Sequence, residues 1–169
     1  FDAALVKVED GILTVFDTEG DNYLGGKNLD EAVVNKILMP SLKEDYVLSS
    51  YETTEWKKKA LIDALKGPAE EMRIALSFAD SADYSTYDRN LNLGQDDNGE
   101  EIDLEITITK DQLIDAVGEQ YKKAVGICKK LLERNGLTGK DLSSLILVGG
   151  PTYSPIIRDM LKAEITPNV

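Results

Sequence analysis

Two adjacent glycines that follow four apolar residues form the stretch of this chain best suited to chemistry: Leu145-Ile146-Leu147-Val148-Gly149-Gly150-Pro151-Thr152-Tyr153-Ser154-Pro155. Four apolar residues in a row read as a buried strand. The glycines let the backbone turn sharply and leave no side chain in the way of a ligand. Pro155 suits the first turn of a helix that continues through Ile156, Ile157, Met160 and Leu161. A strand, a Gly-Gly turn and a helix N-terminus make a place where a nucleotide can lie against bare backbone. The spacing is not GxGxxG, so a dinucleotide fold is not indicated. A second pair lies in Gly20-Asp21-Asn22-Tyr23-Leu24-Gly25-Gly26-Lys27-Asn28-Leu29-Asp30. It follows a hairpin and opens another helix, with Asn28 and Glu31 in the form of a capping box. In a third segment, Glu70, Arg73, Ile74 and Ser77 recur at i, i+3, i+4 and i+7 and share one side of a helix. That side offers a carboxylate, a cation, an apolar flank and a hydroxyl; the alternative is an amphipathic helix with Met72 and Leu76 in the core. Residues 94–105 place Asp96, Asn98, Gly99 and Glu105 at later positions of a calcium loop. The first ligand position there is Gly94 and the flanks read as strands, which favours an ordinary hairpin turn.

The elements that must hold these residues can be read from periodicity. Residues 1–8 and 11–16 read as strands joined at Asp10-Gly11, a two-residue hairpin signal. Leu29, Val33, Ile37 and Leu38 form a helical stripe that Pro40 should end. Residues 56–66 and 69–77 read as helix, with a kink or break at Gly67-Pro68. Residues 84–93 read as β. Ile102, Leu104, Ile106 and Ile108 alternate with polar residues, as in a strand with one wet face, and 95–100 form the turn between. Thr109 and Gln112 form a second capping box. It opens a long helix carrying Leu113, Val117, Tyr121, Val125, Cys128 and Leu132, which Asn135-Gly136 ends. The mixture indicates an α+β arrangement, without regular βαβ repetition.

Composition narrows the chemistry further. The chain has 169 residues and a net charge of −12. That charge disfavours nucleic acid and anionic membrane surfaces as partners, because phosphate binding needs clustered Lys and Arg. With no histidine, Ser-His-Asp and Cys-His catalysis and His-ligated zinc are excluded. The single Cys128 excludes an internal disulfide. No apolar run approaches the ~20 residues of a membrane span. The chain begins Phe1-Asp2, without Met, as an excised piece would.

The three motifs together resemble the nucleotide-binding domain of the 70-kDa heat-shock protein (DnaK-type) chaperones. The family's phosphate-side turn, G-D-x-x-L-G-G-x-x-[FL]-D, is matched by residues 20–30. Its adenosine turn, L-V-G-G-x-T-x-x-P, is matched by 147–155, and its E-x-A-K-x-x-L-S helix by 70–77. The resemblance implies lobe II of an actin-like ATPase domain. Its inner subdomain, with a ribonuclease-H-like sheet, would comprise 1–24 and 116–169, and its outer subdomain 25–115. It implies a site for ATP or ADP with Mg2+. Asp2 matches the last Asp of D-L-G-G-G-T-F-D, near the magnesium shell and the attacking water, with no direct metal ligand in this chain. Gly25 and Gly26 approach the terminal phosphates. Lys27 stands where Glu is usual; it either attracts phosphate or faces solvent. Glu70, Arg73, Ile74 and Ser77 would contact ribose and adenine, with Arg73 where Lys is usual. Gly149 and Gly150 would flank the adenosine, Pro151 replaces a residue with a backbone donor, and Tyr153 replaces an Arg that covers the adenine. Either type stacks on a flat ring. Implied partners are nucleotide-exchange factors, J-domain co-chaperones and, through a domain absent here, unfolded peptide. The exchange factor would meet the acidic face around Asp96, Asp97, Glu100 and Glu101. The implied compartment is cytoplasmic, and this piece alone would be an inactive half-site. A non-hydrolysing module kept for protein binding, and another actin-like ATPase or sugar kinase, are the alternatives.

Overall fold

The computed structural model describes residues 1–169, which form two compact units: Phe1–Gly26 with Gly118–Val169, and Lys27–Val117. No helix is long and apolar enough to cross a membrane. Helices and two small antiparallel sheets make up both units, the mixed α+β class.

In the first unit, β1 (Asp2–Glu9) pairs with β2 (Ile12–Gly20). Asp10 and Gly11, at φ 51 and 77, both take the left-handed conformation that a two-residue hairpin turn needs. The register shifts between Leu5 and Val6, a bulge in the ribbon. Arg134 ties the ribbon to the end of α5 (Lys110–Arg134), through Asp17 at 2.9 Å and Glu19 at 2.5 Å. The helix ends as its sequence demands. Gly136 sits at φ 66, the Leu137 N–H donates to Leu132 O and the Gly136 N–H to Glu133 O, a Schellman cap. The buried apolar residues come mainly from α5 (Tyr121, Ala124, Val125, Cys128, Leu131, Leu132) and α6 (Pro155–Glu164; Ile157, Leu161). Burial pushes the Cys128 thiol pKa up, as suits a core residue.

Residues 145–148 do not form the strand that their composition suggests. Only Leu145 is anchored, donating its N–H to Asn168 O at 2.8 Å, and Ile146 and Val148 are 80% and 85% exposed. A strand needs a neighbour to complete its ladder, and this sheet has only β1 and β2.

In the second unit, α1 (Gly26–Val33) begins two residues before Asn28, so Asn28 lies inside the helix rather than capping it. Pro40 does not end the helical run. The chain passes through a π-helical segment, Val34–Leu38, into α2 (Met39–Asp45). The wider turn accommodates a ring that would strike the carbonyl four residues back and that brings no N–H. After α3 (Ser49–Thr53), α4 runs unbroken from Glu55 to Ala75, with Pro68 buried inside it. The break expected at Gly67-Pro68 is absent. Leu61, Leu65, Ala69, Met72 and Leu76 are all buried along α4, and burial of such a stripe outweighs one local penalty.

β3 (Ser81–Ser85) pairs with β4 (Glu105–Thr109). β3 overlaps the expected 84–93 only at Tyr84 and Ser85, since 86–93 form no strand, and β4 starts three residues later than expected. The Thr86 N–H donates to Leu104 O, and the Leu104 N–H to Thr86 Oγ1. This side-chain closure ends the ladder, and a 3-10 turn at Tyr87–Arg89 and a left-handed Asn90 follow. Ile102 and Leu104 are nonetheless buried, as their alternation requires. The Thr109–Gln112 capping box forms at 2.9 and 3.3 Å.

Candidate nucleotide site

Helix α4 carries three of the expected ligand-facing residues, Glu70, Arg73 and Ile74, with Ser77 two residues past its end, and packing separates them. The Glu70 side chain is 59% exposed and Ile74 49%, while Ser77 is half-buried with its hydroxyl donating to Arg73 O at 3.3 Å. Arg73 points inward. It is 5% exposed, and its Nε donates to Asp30 Oδ1 at 2.7 Å, while the Glu70 carboxylate lies 3.9 Å from its Nη2. Asp30, 6% exposed, is thus the partner of the buried cation. Burial raises the Asp30 carboxyl pKa, and Arg73 offsets only part of that rise. Sequence reasoning met Asp30 only as the last residue of the 20–30 motif and gave it no role; its pairing with Arg73 comes from the fold. It also passed over Phe78, 79% exposed just beyond Ser77.

The turn at residues 20–26 is built in the first unit. The Asp21 N–H donates to Phe1 O at 2.8 Å, the Tyr23 N–H to Asp21 Oδ1 at 2.8 Å and the Leu24 N–H to Asp21 O at 3.2 Å. Asp2 lies opposite Gly20 in the ribbon. A Cβ on Gly20 would stand 2.5 Å from Asp2 Oδ1 and 2.9 Å from Phe1 O. The missing side chain therefore makes room for the Asp2 carboxylate at the end of the ribbon that carries the Gly25-Gly26 turn. Lys27, in the second unit, is exposed in the first turn of α1.

The Gly149-Gly150 turn is open on its glycine side. Gly149 sits at φ 104, and a Cβ at Gly149 or Gly150 would meet nothing within 4 Å. A 3-10 turn, Gly150–Tyr153, follows, and Pro151 sits in its first turn, where a backbone donor is not required. The Thr152 hydroxyl donates to Gly149 O at 2.6 Å, and Arg158 Nε donates to Thr152 O at 2.8 Å. Tyr153 is held on this braced turn with its side chain in solvent, 67% exposed.

The structure groups no three His, Cys, Asp or Glu side chains that could hold a metal ion.

The acidic turn of the second unit is more structural than expected. Asp96 is 6% exposed and accepts the N–H groups of Val47, Asn98 and Glu100 at 3.1, 2.8 and 2.9 Å. Asp97 accepts the Ser50 N–H at 2.8 Å. Burial pushes the Asp96 carboxyl up, but these backbone donors outweigh it and hold its pKa below the ordinary value. Asp96 and Asp97 thus fasten the turn to residues 47–50, while Glu100 and Glu101 are exposed.

The elements are those of a lobe of an Hsp70 nucleotide-binding domain, and a family model described as "Hsp70 protein" matches residues 1–167. Since that match includes all three glycine- and helix-borne motifs and spans nearly the whole chain, the chain belongs to the Hsp70 family.

Proposed function

We propose that this chain supplies the adenosine side and part of the phosphate side of an ATP site in an Hsp70-type chaperone, where nucleotide turnover is coupled to protein folding. Hsp70 proteins generally bind ATP or ADP with Mg2+. The observation that carries the reading is the Gly149-Gly150 turn: bare backbone, held open at positive φ, beside an exposed aromatic. Gly149, Gly150, Pro151 and Tyr153 contact the adenosine, and Glu70, Ile74 and Ser77 stand at the positions that the family uses for ribose and adenine. Gly25, Gly26 and Lys27 face the phosphates. An exposed lysine there attracts phosphate directly, where an acid would act through magnesium-bound water. Asp2 takes the catalytic-side position, contacting waters of a bound Mg2+. When bound, that ion supplies charge neutralisation on the phosphates. Nucleotide-exchange factors and J-domain co-chaperones are the protein partners, unfolded peptide binds through another domain of the same protein, and the compartment is cytoplasmic.

A second reading, a lobe kept for protein binding with a weakened nucleotide site, is favoured by one observation: Arg73 is enclosed by Asp30. Adenine-nucleotide titration of the full-length protein, with phosphate release followed in the same samples, tests both. Binding with turnover supports the chaperone ATPase, binding without turnover the divergent module, and no binding removes the nucleotide site altogether.

A further inference from the structure

Arg73 is the only cation among Glu70, Arg73, Ile74 and Ser77 at the end of α4, and its charge is directed inward, to Asp30. The Arg73 and Asp30 side chains are 6% and 8% exposed and 2.7 Å apart, joining α4 to α1 inside the second unit. Asp30 stands four residues into α1, and the Gly25-Gly26 turn leads directly into that helix. A guanidinium keeps its charge when buried, whereas a buried ammonium readily loses its proton, so Arg suits this place better than Lys. Polar groups enclosed this fully act as a fixed brace, because loss of either partner leaves the other charge stranded.

We infer that Arg73 is a positioning residue: its buried pair with Asp30 holds α1, and with it Lys27 in the first turn of that helix, in the orientation that receives nucleotide phosphates. Arg73 does not touch the ribose or the base. The inference rests on the nucleotide-binding reading above. It separates two groups of residues at the end of α4. Glu70, Ile74 and Ser77 set affinity for adenosine, while Arg73 sets the additional affinity that the phosphates bring.

The test compares ATP, ADP and adenosine by calorimetry on the full-length protein and its Asp30→Asn, Arg73→Gln and doubly substituted variants. Each single substitution should weaken ATP and ADP about tenfold, and the double variant no further, since residues of one pair are not additive. Adenosine should change by less than about twofold, a split that a general loss of stability would not produce. Arg73→Lys should recover part of the ATP affinity. Should the single variants fold poorly, Asp30→Leu with Arg73→Met replaces the pair by packed apolar groups and should return ATP binding towards the wild-type value. ATP binding unchanged in Asp30→Asn but lost in Arg73→Gln would overturn the inference, as would an equal loss of adenosine and ATP in Arg73→Gln. Absence of ATP binding by the wild type would instead overturn the nucleotide reading. The brace is then judged by hydrogen exchange: α1 amides should exchange faster in Asp30→Asn, and unchanged exchange refutes it.

Discussion

Tyr153→Ala is the most direct probe of the proposed adenosine site. The ring is 67% exposed, so its loss removes few contacts within the fold, and surface changes of this kind shift stability by about 0.5 kcal/mol or less. The consequence for binding is larger. A base covering one ring face takes roughly a quarter of an aromatic side chain's ~200 Å2 out of water. At ~25 cal/mol per Å2 that is about 1.2 kcal/mol. Preferred stacking geometry adds about 0.5–1.5 kcal/mol. The total, about 1.7–2.7 kcal/mol, lies within the range measured for base–aromatic stacking, and corresponds to roughly a 20- to 90-fold weaker Kd. Calorimetry of ATP and ADP binding to the full-length protein, with a thermal melt of each variant, provides the assay. Tyr153→Arg should retain most of the affinity, because a guanidinium plane also stacks. Ser77→Ala should cost less, about 1 kcal/mol, since its hydroxyl already donates back to Arg73 O in the last turn of α4. An unchanged ATP affinity in Tyr153→Ala, with the wild type binding measurably, would refute the stacking argument.

Other expectations follow from the same contacts. Glu100→Lys with Glu101→Lys should slow association of a nucleotide-exchange factor at low salt with little effect on the melt, whereas Asp96→Lys should unfold the turn, because its carboxylate holds three backbone donors. The Asp17 carboxyl pKa is lowered, chiefly by its bonds to Arg134 and then Asn135. Its contribution is therefore present above the ordinary carboxylate range and lost as pH falls through its folded pKa, so Asp17→Asn should flatten the acid limb of a stability–pH curve. Asp30 has the opposite sign: its pKa is raised, so its term favours the fold at low pH and is lost as pH rises through the folded value. Gly139→Ala would place a Cβ 1.6 Å from Ile165 O, and the backbone shift needed should cost about 3 kcal/mol or more in chemical denaturation.

Local chemistry settled a good deal of this protein in advance. The Asp10-Gly11 hairpin, the Thr109–Gln112 capping box and the Asn135-Gly136 helix end all depend on conformational preferences within a few residues, and all form as their residue types dictate. The family was legible for a related reason: glycine at turns that leave backbone bare, and a helix with fixed side-chain spacing, are properties of short segments. Tertiary structure decided the rest. Pro40 and Pro68 stay within helices because a buried stripe on either side outweighs a local break. Residues 145–148 look like a strand in isolation, but strands exist only through partners, and this chain offers them none. Arg73 and Asp30 are separated by 43 residues, so no local pattern could pair them. Once packing had buried both, the cost of an isolated charge made each the necessary partner of the other.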